Sequence, residues 1–150
     1  MFIGEGPGEN EDLQGEPFVG KAGQFLTTML ELIGIDREKD IYICNVIKCR
    51  PPQNRDPSTE ERLSCRPFLD RQIVLIQPRL IVLLCRIAAT ELLGPDFKIT
   101  QQHGQLLSYN GIDCIATYHP SALLRDESKR PDAFSDFRTI RKEIREKNLV

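Results

Sequence analysis

Four apolar runs punctuate the chain: Met1 to Ile3, Ile41 to Ile47, Leu80 to Leu84 and Ile112 to Tyr118. The third is apolar without a break, as a central parallel strand covered on both faces requires. Between the runs, apolar residues recur at helical spacing. Ala22 to Ile33 predicts an amphipathic helix stopped by Gly34. Pro57 to Gln77 predicts a second, with Ser58 or Thr59 as N-cap and acids in its first turn. A shorter helix spans Ile87 to Leu93 and ends at Gly94-Pro95, and Ala133 to Lys147 carries Phe134, Phe137, Ile140 and Ile144 on one side. Asn110-Gly111 between two short apolar stretches is a hairpin signal. The resulting β-α-β-α-β-α-β order predicts an α/β fold, a three-layer α/β/α sandwich around a central, mainly four-stranded parallel sheet with right-handed crossovers. Three segments then meet at the carboxyl edge of the sheet, where such folds place ligands: Gly4 to Gly20, Asn45 to Asp56 and His119 to Arg125.

Composition narrows the classes without choosing among them. A chain of 150 residues, 40% hydrophobic, suits a single domain over 1–150 with no internal repeat. A net charge of −2 exerts no global pull on a polyanion, so any such site must be a local patch. No run approaches a membrane span and no leader is evident, which makes cytoplasmic the expected compartment. Five cysteines, an odd number, argue against a disulfide framework and for thiols that are buried or metal-bound.

The segment from Gly4 to Gly23 is dense in glycine, proline and carboxylate, which cannot build a core and so predicts a functional loop beyond the first strand. Gly4-Glu5-Gly6-Pro7-Gly8, then Glu11-Asp12 with Gly15-Glu16-Pro17-Phe18-Val19-Gly20-Lys21-Ala22-Gly23, then Asn45-Val46-Ile47-Lys48-Cys49-Arg50-Pro51-Pro52, then His119-Pro120-Ser121-Ala122-Leu123-Leu124-Arg125, appear in that order. Together they resemble the family 4, iron-sulfur uracil-DNA glycosylases over nearly the whole chain. The resemblance implies a monofunctional enzyme that hydrolyses the N-glycosidic bond of deoxyuridine in DNA, leaving an abasic site. Its partner would be uracil-containing DNA, and the protein is expected to act as a monomer.

Such chemistry needs the nucleotide rotated out of the stack, its base edge held, and both an oxocarbenium-like sugar and a departing uracil anion stabilised. The resemblance gives Phe18 the task of stacking on the flipped base, although an aromatic there can also simply pack the loop onto the core. Asn45 ends the second strand. Its amide can donate to uracil O4 while its carbonyl accepts from N3–H, a pattern that cytosine reverses, or it can cap a turn. For His119 the implied role is donation to uracil O2, against that of a structural hydrogen-bonder. Leu123 and Leu124 would wedge into the gap left by the base, or pack inward as an ordinary helix start. Superfamily relatives with an aspartate two places after the first glycine of the opening motif use it to orient water, and this chain has Gly6 at that place in the base pocket. Glu5 is therefore the first candidate for the water, and Glu11 is expected to crowd C5 of the base and exclude a thymine methyl. His103 lacks any such context and is expected on the surface.

Lys48, Arg50, Arg55, Ser121, Arg125, Lys129 and Arg130 gather on the same edge as candidate DNA contacts. Cys49 and Cys65 match the family's distal pair of cluster ligands. A [4Fe-4S] cluster takes four thiolates. The family supplies the other two from a Cys-x-x-Cys segment ahead of the first strand, so the chain reads as amino-terminally truncated and its cluster as incomplete or absent, with no metal in the chemical step. Two other classes compete: a non-catalytic nucleic-acid-binding module, and a metal-dependent phosphohydrolase built on Glu5, Glu9, Glu11 and Asp12.

Overall fold

A computed structural model describes residues 1–150. The sheet order is β2-β1-β3-β5-β4, with β1 at Phe2–Gly4, β2 at Ile43–Asn45, β3 at Leu80–Leu83, β4 at Leu107–Tyr109 and β5 at Ile112–Ala116. Strands β2, β1, β3 and β5 run parallel, in the registers Ile3↔Cys44, Phe2↔Val82 and Leu80↔Asp113. These are the four predicted runs. The predicted hairpin adds β4 as an antiparallel edge, turning through Asn110 and Gly111, both at positive φ.

Alternation along each strand sorts the core into two layers. Phe2, Leu80, Val82 and Ile115 face one side and pack on Leu26, Met29 and Leu30 of α2 (Lys21–Leu32) and on Phe137 and Ile140 of α8 (Arg130–Glu146). Ile3, Cys44, Ile81, Leu83 and Cys114 face the other and pack on Leu69 and Ile73 of α4 (Thr59–Ile76) and on Ile87 and Leu92 of α5 (Arg86–Leu93). Each such aliphatic side chain contributes roughly 1.5–3 kcal/mol by leaving water. Helix α4 begins as predicted, with the Ser58 hydroxyl accepting from Glu61 N–H while Glu61 reaches back to Ser58 N–H. Helix α8 starts three residues before the expected Ala133, because Pro131 sits comfortably in a first turn.

Two expectations need correction. The loop after β1 contains a short helix, α1 (Glu9–Gln14), entered from Gly8 and closed by Gly15 at φ 73°. Its signal is hidden because no residue of α1 is buried, so no apolar periodicity marks it. His103, expected on the surface, follows α6 (Ile99–Gln102) and is half-buried, with Nδ1 2.9 Å from the Asp136 carboxylate and its ring tilted on Tyr118. Asp136 also accepts from Thr117 Oγ1 at 2.7 Å, so this buried acid ties α8 to the end of β5.

Candidate active site

A cavity of about 770 Å³ opens at the carboxyl edge of the sheet. The segments after β1, β2 and β5 converge on it as predicted, bringing Glu5, Gly6, Glu11, Phe18, Asn45 and His119 together from opposite ends of the sequence. A fourth segment, Cys85-Arg86-Ile87 after β3, joins them. It carries no glycine or acid to advertise itself, but its place just past a parallel strand was signal enough.

Asn45 lines the cavity. Only 8% of it is exposed, and its Oδ1 is buried without a hydrogen-bond partner. A buried carbonyl oxygen left unpaired is costly unless a ligand donor arrives. Gly4 makes this arrangement possible, since a Cβ there would lie 2.5 Å from the Phe18 ring and 2.7 Å from Asn45 Oδ1. The Asn45 backbone carbonyl accepts from Lys48 Nζ at 2.6 Å, which anchors the residue.

Phe18 is both core and wall. It is 6% exposed and belongs to the larger apolar cluster, yet it lines the cavity, stacked on the His119 ring at 5.5 Å between centroids. Its backbone is left-handed, φ 54°, a conformation that costs a bulky residue on the order of 1–3 kcal/mol.

His119 caps α7 (Pro120–Arg125), with its Nδ1 accepting from Ser121 N–H at 3.1 Å and lying 2.7 Å from Ser121 Oγ. Because a backbone N–H can only donate, Nδ1 must be the acceptor, which leaves the ring proton on Nε2. Burial, aided by the charge of Arg125, pushes the pKa down to about 4. The imidazole is therefore neutral at physiological pH.

The two candidate carboxylates differ in their bonding. Burial raises the Glu5 pKa, with Asp56 reinforcing the shift and Arg86 and Arg125 opposing it, and no hydrogen bond engages its side chain. Glu5 is thus an unengaged, more basic carboxylate at the cavity wall. Glu11 also lines the cavity, and its Oε2 accepts from Val19 N–H at 2.8 Å and Gly20 N–H at 2.7 Å, and its Oε1 from Gly8 N–H at 3.1 Å. Burial alone would raise its pKa, but those backbone donors together hold it below the ordinary value. With its oxygens so occupied, Glu11 organises the loop while remaining part of the cavity lining. Gly6 admits no side chain in this backbone, since a Cβ would sit 2.5 Å from Ile47.

The structure separates the expected DNA contacts. Leu123 is 1% exposed and packs in the core, whereas Leu124 is 40% exposed and remains available as a wedge. Lys48 is half-buried, with Nζ on Asn45 O and Gln72 Oε1, so it is not offered to phosphate. Ser121 is engaged with His119, and Arg50 Nε donates to Asn54 Oδ1 at 2.9 Å. Arg55, Arg125 and Lys129 line the cavity and Arg130 donates to Leu123 O. Arg86 and Asp56, which tune Glu5 and pair with each other at 3.2 Å, carry no motif in the sequence that marks them.

The thiols do not assemble a four-thiolate site. Cys65 Sγ accepts from Lys48 N–H at 3.4 Å, which sets it beside the neighbour of exposed Cys49. Cys44, Cys85 and Cys114 are buried, and burial pushes their pKa values up to about 11, 12 and 12, far from the thiolate a cluster needs. No third His, Cys, Asp or Glu gathers with any such pair. Residues 1–150 offer two candidate ligands, which does not fit a [4Fe-4S] cluster held by this chain alone. Glu5, Glu9, Glu11 and Asp12 likewise fail to converge as a cation cage, since Glu9 and Asp12 are exposed and Glu11 is bonded to backbone.

Comparison with known proteins agrees with this constellation. Residues 1–144 match the family model described as the uracil DNA glycosylase superfamily. A type-4 uracil-DNA glycosylase of Thermotoga maritima is 49% identical over 85% of this chain and 67% of its own length. Those of Archaeoglobus fulgidus and Sulfurisphaera tokodaii are 46% and 45% identical, over 93% and 94% of this chain and 74% and 68% of theirs. With an orphaned asparagine oxygen, a neutral histidine and an unengaged glutamate on one pocket, and with this degree of likeness, the chain belongs to the uracil DNA glycosylase superfamily, in its type-4 branch.

Proposed function

We propose that this protein, acting as a single monomeric domain, excises uracil from DNA by hydrolysing the N-glycosidic bond of an extruded deoxyuridine. The observation that carries the reading is the buried, unpartnered Asn45 Oδ1 in a cavity that also presents the Nε2–H of a neutral His119. Uracil matches both. Its N3–H donates to Asn45 Oδ1, its O4 accepts from the Asn45 amide, and its O2 accepts from His119. Cytosine would set an acceptor against Oδ1 and leave the orphan unrelieved.

As the glycosidic bond breaks, negative charge grows on the base and positive charge on the sugar. The His119 donor stabilises the first, an effect worth on the order of 10²–10³ in rate for one such hydrogen bond. Glu5, free of hydrogen bonds in the cavity wall, orients water toward the anomeric carbon and favours the cationic sugar. Phe18 walls the base, Leu124 fills the vacated stack, and Arg55, Arg125 and Lys129 meet phosphates. No step uses the two candidate cluster thiols, since neither Cys49 nor Cys65 lines the cavity.

The test is incubation with an oligonucleotide bearing one deoxyuridine, in EDTA. Release of free uracil, with an abasic site that breaks only on alkali treatment, is expected. Binding without release would leave a nucleic-acid-binding module, and activity abolished by EDTA would overturn the metal-free chemistry.

A further inference from the structure

Phe18 is held in its left-handed conformation from two sides. On one side Glu11 accepts from the N–H groups of the next two residues, Val19 and Gly20. On the other, Arg37, at the start of α3 (Arg37–Asp40), meets the carbonyls of the Phe18 turn. Its Nη2 donates to Pro17 O and its Nη1 to Phe18 O, each at 2.5 Å, and Nη1 also lies 3.2 Å from Thr27 Oγ1 and 3.4 Å from Gly23 O. Gly23 completes the fit, since a Cβ there would overlap the Phe18 carbonyl. Arg37 does not line the cavity. A planar fork that spans two successive carbonyls fixes a peptide orientation in a way a single ammonium cannot.

We infer that Arg37 is a positioning residue for uracil excision: from behind the loop it locks the Phe18 peptide so that the ring stands against His119 and walls the base. This rests on the proposed glycosylase reading. Without the clamp, the strained Phe18 backbone relaxes and the ring leaves its stack.

The test compares Arg37→Met and Arg37→Lys with the unaltered protein, alone and combined with Phe18→Leu. In single-turnover excision of uracil, Arg37→Met is expected to lower the rate about tenfold while affinity for uracil-free duplex of the same sequence stays within about twofold. Arg37→Lys should recover only part of the loss. In the Phe18→Leu background the Arg37→Met change should have almost no further effect, since the ring it positions is gone. A second readout needs no activity: the nuclear Overhauser contact between the Phe18 and His119 rings should weaken in Arg37→Met and partly return in Arg37→Lys. Retention of that contact together with an unchanged rate, or full multiplication of the two effects in the double variant, overturns the inference. Should the unaltered protein release no uracil, the functional reading fails and the ring contact alone decides the role of Arg37. If Arg37→Met does not fold, the same contact and rate in Arg37→Lys serve as the test, and unaltered values there overturn the inference.

Discussion

The segments after β1 and β2 look alike in the sequence, both rich in proline and charge, yet the structure builds them on different principles. From Gly4 to Gly23 the backbone is bound by charged side chains: Glu11, from within the segment, takes three N–H groups, and Arg37, from outside it, two successive carbonyls. From Lys48 to Cys65 the polar contacts are mostly short-range pairs at the surface, such as Arg50 with Asn54 and Arg55 with Glu61 at 2.5 Å. Two consecutive left-handed residues, Gln53 and Asn54, turn that segment with no comparable clamp. A chain bound through its backbone keeps one geometry, whereas exposed ion pairs contribute only about 0–1 kcal/mol and are screened by salt. Under the proposed function, precision at the base pocket comes from the first segment and the second supplies charge near DNA.

The largest effect should come from Glu5, the half-buried carboxylate of the first segment that lines the cavity without a hydrogen-bond partner. Glu5→Gln is expected to slow single-turnover excision by ~10²–10⁴. The same change should stabilise the fold at neutral pH. Because the folded pKa of Glu5 is raised, the native state binds the proton more tightly than the unfolded chain, so ionisation above the unfolded value costs stability. Thermal melts at pH 7 should show the gain, and a variant both slow and less stable would contradict the environment assigned to Glu5.

His119 shifts in the opposite direction. Its pKa falls from 6.5 to about 4, so the unfolded chain takes up a proton first, and stability should decline as pH drops from 6.5 toward 4. The full shift corresponds to at most about 3 kcal/mol. Denaturant titrations across that window should find the decline reduced in His119→Asn.

Smaller effects separate the two segments directly. Glu11→Gln, which keeps the size but not the charge that binds three backbone donors, should cost about 1–2 kcal/mol in urea unfolding and slow excision by loosening Phe18. Arg55→Gln breaks the pair with Glu61 on an exposed surface, and its effect on stability should stay within about 0.5 kcal/mol. Equal losses from these two substitutions would erase the distinction between the segments.

Much of this was legible in the sequence for a physical reason. The strands and long helices announce themselves by period, and a parallel sheet places the ends of its strands at one edge, so the sequence alone brings Glu5, Asn45 and His119 together. What stayed hidden depends on direction. Whether Leu123 or Leu124 points inward is a matter of helix phase over a single short turn, and the structure buries Leu123 alone. The roles of Glu11 and Lys48 depend on which backbone atoms lie within 3 Å, which no composition or spacing encodes. Arg37 sits in a four-residue helix among exposed charges and gave no sign of the turn it holds.

The central claim is that Asn45 Oδ1 waits for the N3–H of uracil. Rates of base release from matched deoxyuridine and deoxycytidine oligonucleotides, measured with the unaltered protein and Asn45→Asp, test it most directly. An ionised carboxylate can still accept from N3–H but cannot donate to O4, so Asn45→Asp should lose about 1–3 kcal/mol, roughly 5- to 150-fold, on uracil and narrow the preference over cytosine. An unchanged rate on uracil with an unchanged preference would mean that Asn45 only ends a strand, and that the base is read elsewhere.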